Sequence, residues 1–257
     1  MVATRWIGLS VIVLVVAAAV FAPYLTSYDP SRSSVDFLQG ASAAHWLGTD
    51  DLGRDVLSRV LYGARTSLIV GIGAALVATL LGVPVGLMAG YLGGRVDVVA
   101  VQLIDLFVAL PGLVLALIIT AMVGATLENL MFVLGFVMWP TVARLVRGQV
   151  LNIRQSVYVE AAIALGGRTV WILWAHIWPN IVRVVAAQFA ITVSFAIFTS
   201  ASLSFLGLGV PPPTPDWGGM VRAGFDFLAI TPLMSLGPGA AVAVTVFGFY
   251  LLGSTIE

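Results

Sequence analysis

Residues 158–180, "YVEAAIALGGRTVWILWAHIWPN", separate two long apolar runs in a chain that carries little charge elsewhere. The segment holds a glutamate, two adjacent glycines, an arginine and a histidine close together. Gly166 and Gly167 predict the end of a short helix that begins at Gln155, because glycine readily takes the left-handed conformation that follows a helix C-terminus. The letters "RTVWILWAHIW" predict a second short helix, and Pro179 predicts a further turn into the next apolar run.

Both short helices carry apolar residues on a surface that we expect to face water. These residues are Val159, Ile163, Val170, Ile172 and Leu173. An amphipathic helix pair in water needs a partner for its apolar face. The segment is therefore either a docking surface for another protein or an ordinary amphipathic connection between two spans.

The composition places the chain in the membrane class. It has 257 residues, of which 60% are hydrophobic and 9% are charged, whereas a soluble domain carries about 25% charged residues. The net charge is zero and gives no reason to expect nucleic acid. The absence of cysteine excludes disulfides and thiolate metal sites, and no metal site is predicted. The chain also has no lysine, and a Walker A loop needs one, so any ATP that drives this protein is expected on another chain.

Charge-poor runs define the membrane spans, since a bilayer core of about 30 Å needs roughly 20 helical residues. Six runs qualify: 6–28, 66–94, 98–123, 129–146, 184–208 and 233–253. The predicted fold class is therefore an all-α integral membrane protein with six transmembrane helices. The predicted organisation is an N-terminal transmembrane helix at 1–23, an extracytoplasmic loop at 24–65, a five-helix core at 66–253 and a C-terminal end at 254–257. The core contains a cytoplasmic loop at 147–180 and an extracytoplasmic loop at 207–232.

The first run also has the basic start and small residues of a secretory signal peptide. A signal h-region spans roughly 7–15 residues, and this run is longer, which favours an uncleaved helix. With the N-terminus cytoplasmic, more arginines fall inside than outside, in the sense of the positive-inside rule. The inside set is Arg5, Arg95, Arg144, Arg147, Arg154, Arg168 and Arg183. An even number of spans then places the C-terminus in the cytoplasm as well.

Two patterns lie inside the predicted spans. Small residues recur every fourth position at Ala74, Ala78, Gly82, Gly86 and Gly90, which favours close packing between helices. Gln188, Thr192, Thr199 and Ser202 share one face of the fifth span. They line a solute path or hydrogen-bond the preceding turn or a neighbouring helix.

Asp105 is the ionisable residue well inside a predicted span. An intramembrane carboxylate is a candidate for a functional role, and we name Asp105 as a candidate pathway residue. Its place toward the inner end of its helix fits a structural role equally well. Pro111 and Gly112 predict a break or bend later in the same span.

The pattern of Glu160, Ala161, Ala162, Gly166 and Pro179 resembles the EAA loop of ABC importer permeases, and His176, Ile177, Pro179 and Asn180 resemble the H-I-L-P-N form of its peptide-importer branch. Trp178 stands where leucine is usual. In that family the loop forms a coupling helix that docks into a groove of the ATPase subunit. The resemblance implies that Glu160, Ala161, Ala162, Gly166, His176, Ile177 and Pro179 couple this chain to an ATPase.

Two further segments are similar to the C-type permeases of dipeptide, oligopeptide and nickel importers. They are "LGTDDLGRDVLSRVLYGARTSL" at 47–68 and "SFLGLGVPPPTPDWGGM" at 204–220. Taken alone, the first predicts a turn with Arg–Asp pairing and the second a rigid proline turn. Within the resemblance, we expect Arg54, Asp55, Asp216 and Trp217 to shape an outer gate or to contact a binding protein.

The resemblance implies a type I ABC importer permease that forms half of a translocation pathway for di- and oligopeptides. Its implied partners are a second homologous permease, two ATP-binding-cassette subunits that hold ATP and Mg²⁺, an extracytoplasmic binding protein and the lipid bilayer of the cell membrane. Nickel chelates or another small solute are the alternative substrates. The chain departs from the family at its C-terminal end, where a charged tail is common.

Proteins of other classes would need features that the sequence lacks. An intramembrane aspartyl protease needs a pair of embedded aspartates, and a metalloprotease needs an H-E-x-x-H ligand pair. A free-standing channel has no need of a glycine-broken docking loop. The sequence therefore predicts a permease and no catalytic residues.

Overall fold

The computed structural model describes residues 2–255, although the side chains of Val2 and Ala3, like residues 1, 256 and 257, lie outside the description. Part of the predicted C-terminal end, 254–257, therefore cannot be compared. The described chain consists of ten α-helices and one π-helical segment. The helices are α1 (Val2–Leu25), α2 (Val56–Leu92), α3 (Gly94–Val108), α4 (Gly112–Val123), α5 (Leu127–Arg154), α6 (Val157–Ala164), α7 (Thr169–Ile172), α8 (Trp178–Phe205), α9 (Trp217–Phe225) and α10 (Leu233–Ser254), with the π segment at Leu173–Ile177.

Five helices of the described chain are long and apolar enough to cross a membrane, and a bent pair makes a sixth span if it is counted as one. The bent pair is α3 and α4, which meet at 83°. The bend lies at Pro111, whose ψ of 116° is extended rather than helical. The six-span prediction is therefore confirmed in this sense, and so is the predicted break at Pro111 and Gly112.

The second span begins earlier than predicted. α2 starts at Val56 rather than near residue 66, so the predicted outer loop 24–65 shortens to 26–55. The helix begins there because Asp55 is its N-cap and accepts a hydrogen bond from the Ser58 amide at 2.7 Å. Arg65, which ended the predicted loop, lies on α2 and donates to the Val20 carbonyl at the end of α1 at 2.9 Å.

The segment at 155–179 also differs from prediction in two details. The first short helix begins at Val157 rather than Gln155, because extended Ser156 (ψ 140°) separates it from α5. Pro179 makes no turn, since α7, the π segment and α8 run as one helix from Thr169 to Phe205. Trp178 donates to the Leu173 carbonyl five residues back, and this wider turn accommodates a proline that has no N–H to donate.

α2 and α5 form the most extensive helix pairing in the described bundle, and the predicted small-residue face lies in it. A Cβ atom on Gly86 would lie 2.6 Å from the Ala143 carbonyl oxygen, and one on Gly90 would lie 2.7 Å from the Val150 Cβ. The same face continues through Gly82, where a Cβ would lie 2.7 Å from the Trp139 carbonyl. These glycines let the two backbones approach closely, which favours association where lipid gives no hydrophobic push.

α8 packs on the other side of this pair and connects it to α10. Ile197 fills the space left by Gly71 of α2, where a Cβ would come within 2.4 Å of its side chain. The Ser194 hydroxyl donates to the Val246 carbonyl of α10 at 2.9 Å. α8 contacts α2, α5 and α10 and therefore lies at the centre of the bundle. Its buried residues extend from Ile181 to Ser204.

Gly86→Ala tests the close contact, with Gly148→Ala as a matched control on α5. Gly86→Ala is expected to lower the free energy of unfolding by about 1–3 kcal/mol, because the new methyl group forces packed backbones apart. Nothing lies within 4 Å of a Cβ on Gly148, so the control is expected to gain up to ~1 kcal/mol from helix propensity. Thermal unfolding of the purified chain in detergent measures both, and effects of the same sign and size would contradict the packing model.

Candidate functional sites at the two ends of the bundle

The glycine turn at one end of the bundle has the geometry of a helix C-terminus. Gly166 has a φ of 79°, in the left-handed region that favours glycine. The Gly167 amide then reaches back to the Ala162 carbonyl at 3.0 Å. A Cβ on Gly166 would touch nothing within 4 Å, so only the backbone conformation, and no steric contact, favours glycine here. The predicted order of helix, glycine turn and helix is confirmed.

One side of the 157–178 segment packs on the protein's own core. Val159, Ile172 and Ile177 are fully buried, and they belong to the same cluster as Val150 of α5 and Ile181 of α8. The expectation that Val159 and Ile172 await an external partner was therefore wrong. Their own chain covers them because α6 packs against α5 and α7, and the segment joins the cluster of α5 and α8 side chains.

Other residues of the segment expose large apolar side chains, and we call this set the apolar docking surface. Leu165 at the glycine turn is 89% exposed. The surface consists of Val157, Ile163, Leu165, Val170, Trp171 and Trp174, all exposed. Sequence reasoning identified Ile163 and Val170 but missed the others. The three-residue spacing of Trp171 and Trp174 places them on neighbouring helical positions and is the signal that could have found them.

The remaining predicted coupling residues divide between this surface and its support. Glu160, Ala161 and Pro179 are exposed, whereas Ala162 is buried. His176 is half-buried, with its ring 4.7 Å from that of Trp171. The Asn180 side chain donates to the His176 carbonyl at 2.6 Å. His176 and Ile177 thus support the surface from behind.

At the other end of the bundle, the 47–68 segment forms a buried polar network around Asp50. Its carboxylate accepts a hydrogen bond from Arg54 Nε at 2.7 Å and lies 3.5 Å from Arg59 Nε. The backbone amides of Leu52 and Arg54 donate to the same side chain at 2.9 Å. The predicted Arg–Asp pairing is therefore present, and it closes a tight turn at the start of α2.

Asp55 anchors the outer loop to the helix that it caps. Its Oδ1 lies 2.9 Å from His45 Nδ1, and its Oδ2 accepts hydrogen bonds from the amide and hydroxyl of Ser58. The Ser58 hydroxyl also contacts the Thr26 hydroxyl. These bonds connect the end of α1, the loop and the start of α2.

Asp216 and Trp217 anchor the start of α9 to α2. Asp216 is the N-cap of α9 and accepts a hydrogen bond from the Gly219 amide at 3.0 Å. Burial raises the pKa of its carboxyl above the ordinary value of 3.8, against the effect of the backbone amides that donate to it. The Trp217 indole donates to the Val60 carbonyl of α2 at 2.9 Å.

The four outer residues named from sequence are buried: Arg54, Asp55, Asp216 and Trp217 are between 2% and 8% exposed. Side chains so deeply buried are more suited to holding neighbouring segments in place than to touching another protein directly, and a contact with a binding protein stays a prediction. Their shared effect is to hold the outer loop and α9 on the end of α2. A role in shaping an outer gate stays a prediction.

The polar residues of the fifth span form hydrogen bonds within α8. The hydroxyls of Thr192, Thr199 and Ser202 donate to carbonyls one turn earlier, at 2.7–2.9 Å. Gln188 reaches Thr192 at 3.3 Å. These bonds satisfy the hydroxyls without a solute, as the structural alternative expected, while a pathway role stays a prediction.

Asp105 is paired rather than isolated. It accepts a hydrogen bond from Arg144 of α5 at 2.7 Å, and Asp97 accepts one from Arg147 at 2.7 Å. Both pairs tie α3 to α5. The Asp105 side chain is 62% exposed, and such pairs contribute roughly 0–1 kcal/mol.

A bundle with five helices long and apolar enough to cross a membrane, and a sixth span if the bent pair is counted as one, defines a polytopic membrane protein. Residues 82–256 match the family model of the binding-protein-dependent transport system inner membrane component, and residues 4–42 match the N-terminal transmembrane domain of oligopeptide transport permease C. The chain belongs to this family of ABC importer permeases. It is therefore a transport permease of the C type and not an enzyme.

Several curated relatives are similar over nearly the whole chain. The glutathione transport system permease protein GsiD of Pectobacterium atrosepticum is 40% identical over 96% of this chain and 82% of its own length. The oligopeptide transport system permease protein OppC of Bacillus subtilis is 38% identical over 98% of this chain and 83% of its own length. A solved inward-facing structure of the MetNI methionine ABC transporter matches with a TM-score of 0.64 at 17% identity, over 77% of this chain and 94% of that one. This last likeness supports the type I permease fold.

Asp216→Asn tests the buried cap, because asparagine caps a helix as well as aspartate but carries no charge. The raised pKa means that ionised Asp216 costs stability; the cost is absent below pH 3.8 and grows as the pH rises through the folded pKa. The free energy of unfolding of Asp216→Asn is therefore expected to gain on wild type as the pH rises.

Asp216→Ala is the control, because it removes the charge and the cap together. It is expected to lose about 1 kcal/mol relative to Asp216→Asn at every pH. Thermal unfolding in detergent across a pH series measures all three proteins. Parallel pH curves for wild type and Asp216→Asn would contradict the buried-carboxylate account.

Proposed function

We propose that this chain forms half of the translocation pathway of an ATP-driven importer for di- and oligopeptides delivered by an extracytoplasmic binding protein. The named relatives include permeases of glutathione, oligopeptide and dipeptide transport systems, which supports a short peptide as the substrate. Nickel chelates or another small solute remain the alternative within the same architecture.

The apolar docking surface is the observation that carries the coupling role. Its six large side chains are exposed on either side of a glycine turn in the sequence, and Gly166 adopts the left-handed conformation of that turn. Exposed apolar patches of this kind mark protein interaction sites. We assign the surface to an ATP-binding-cassette subunit, which would hold ATP and Mg²⁺. A complete importer would contain two such subunits, on one chain or two, with a second homologous permease.

This assignment also sets the orientation in the membrane. If the docking surface faces ATPase subunits, it lies on the cytoplasmic side, and both termini lie there with it. The outer loop and α9, which the buried network around Asp50 holds in place, then lie on the same side of the membrane as the binding protein. The arginine distribution of the sequence favours the same orientation.

Coupling then follows from the continuity of the helix that leaves the surface. Thr169 to Phe205 is one unbroken helix, so a displacement of the docking surface moves the outer end of α8. Alternation between outward-open and inward-open states requires ATP and substrate to bind the two states with different affinity. We place Gln188, Thr192, Thr199, Ser202 and Asp105 along the pathway in this scheme. Arg54, Asp55, Asp216 and Trp217 would hold the outer gate in shape.

Gly166→Val, with Gly166→Asn as its control, tests the coupling role. Valine at a φ of 79° costs on the order of 1–2 kcal/mol, whereas asparagine tolerates this region. In vesicles that contain the whole importer and its matched binding protein, wild type and Gly166→Asn are expected to accumulate labelled peptides on ATP hydrolysis. Gly166→Val is expected to insert normally and to lose peptide uptake, with ATP hydrolysis uncoupled or the ATPase subunits released.

Coupled uptake in Gly166→Val would show that the segment is only a connection. Accumulation of a nickel chelate instead of peptide by the wild-type importer would assign the alternative substrate.

Leu165→Asp tests the docking surface itself, and Val35→Asp is the matched control. Both side chains are more than four-fifths exposed, at 89% and 85%, so neither change is expected to unfold the chain. Leu165→Asp places a charge on the surface and is expected to weaken retention of the ATPase subunits at least about thirtyfold, which corresponds to the roughly 2 kcal/mol of an interface hot spot. Val35 lies in the outer loop, and its variant is expected to co-purify with the ATPase as wild type does. Equal retention by both variants would remove the surface from the coupling model.

A further inference from the structure

A cavity of about 420 Å³ lies at the outer end of the bundle, away from the apolar docking surface. Its walls come from the start of α2, the end of α8, the proline-rich connection that follows, α9 and the start of α10. Val210, Met220 and Met234 supply apolar wall. The size and mixed lining are those of a small-molecule site, which typically measures 300–1,000 Å³.

The charged lining of this cavity is not balanced. Three arginines line it, Arg54, Arg59 and Arg222, but only two carboxylates, Asp50 and Asp216. Asp50 alone serves both Arg54 and Arg59, at 2.7 and 3.5 Å. Asp216 is engaged by the Gly219 amide. With these groups ionised, the cavity carries one excess positive charge.

Arg222 is the source of that excess. Arg222 is exposed to solvent and forms no hydrogen bond or ion pair with any side chain of the described range 2–255, so its donors are free for a ligand that enters from solvent. Its guanidinium packs on the bare Cα of Gly207, where a Cβ would lie 2.1 Å from Arg222 Nη1. Gly207, with a φ of 91°, therefore gives the guanidinium room beside the cavity.

We propose that this cavity binds the carboxylate of a small solute through Arg222, and that the solute is the C-terminus of a short peptide entering the pathway. A guanidinium presents paired N–H donors that match a carboxylate and form charge-assisted hydrogen bonds. The adjacent apolar wall accepts an aliphatic side chain. The identity of the solute rests on the proposed import of peptides; the preference for a carboxylate rests on the cavity alone.

The preference is tested with two probes that differ in one group, N-acetyl-alanyl-alanine and its C-terminal amide. Ligand-observed NMR measures their binding to the whole importer in nanodiscs without the binding protein, and this method detects weak complexes. The acid is expected to bind wild type at least tenfold more tightly than the amide. Arg222→Gln is expected to reduce that ratio to near one by weakening the acid alone.

Arg32→Gln is the matched control, because Arg32 is an exposed arginine of the outer loop that does not line the cavity. It is expected to keep the wild-type ratio. Arg222→Lys keeps the charge but not the paired donors and is expected to give an intermediate ratio, so it serves if Arg222→Gln fails to assemble. Retention of the ATPase subunits reports assembly in each case.

Equal binding of the two probes to wild type, or an unchanged ratio in both Arg222 variants, would overturn the proposal. So would loss of binding-protein docking in an assembled Arg222→Gln importer whose probe ratio is unchanged, which would assign Arg222 to a protein contact. Absence of peptide uptake by wild type with the probe ratio intact would reject the peptide function and leave the carboxylate site. Peptide uptake without any probe preference would reject the site and leave the function.

Discussion

The close approach of α2 and α5 is the contact on which both ends of the molecule depend. In lipid, helices gain little from excluding water, so their association rests on dispersion contacts and hydrogen bonds that require near-touching surfaces. Gly82, Gly86 and Gly90 provide such a surface against Val146 and its neighbours on α5. The first turn of α2 holds the outer polar network, and the end of α5 leads into the docking segment. One interface therefore fixes the positions of two regions that share no residues.

The buried polar network around Asp50 explains why several charged residues lie close together at positions 50–59 of an otherwise apolar chain. A buried ion is costly unless it is paired and hydrogen-bonded. Asp50 meets this condition with two guanidiniums and two backbone amides, and Asp55 does so with His45 and Ser58. These ion pairs and hydrogen bonds therefore hold in place the loop between α1 and α2, which has little regular secondary structure. Arg222 is not subject to this rule, because it is exposed and solvent can hydrate its guanidinium.

Sequence periodicity predicted the elements that follow from local chemistry. The four-residue spacing of the glycines, the left-handed turn at Gly166 and the break at Pro111 each have a local cause, and each prediction was confirmed. The predicted start of α2 was wrong because the charge of Arg65 does not end the helix: Arg65 lies on α2 and donates a hydrogen bond to Val20 of α1.

The remaining errors concern contacts between distant residues. Trp217 follows a run of prolines that is typical of an exposed turn, yet its indole bonds Val60, which is 157 positions away. Asp105 likewise pairs with Arg144, which lies 39 residues later in the sequence. No local pattern encodes such pairings. The sequence could therefore place the two ends of the protein but not determine which of their side chains are accessible.

The π segment before α8 has a mechanical consequence. If Pro179 broke the helix, the docking segment and the membrane span would be separate helices with a hinge between them. The wide turn at Leu173–Ile177 instead lets them continue as one helix. Its 37 residues make a rod of roughly 55 Å at 1.5 Å per residue. A continuous helix that tilts as one body works as a lever arm, so a tilt of about 5° would displace its far end by roughly 5 Å over that length. The far end reaches Phe205, next to the cavity wall, so a small rotation at one membrane face is amplified into a displacement the size of a side chain at the other.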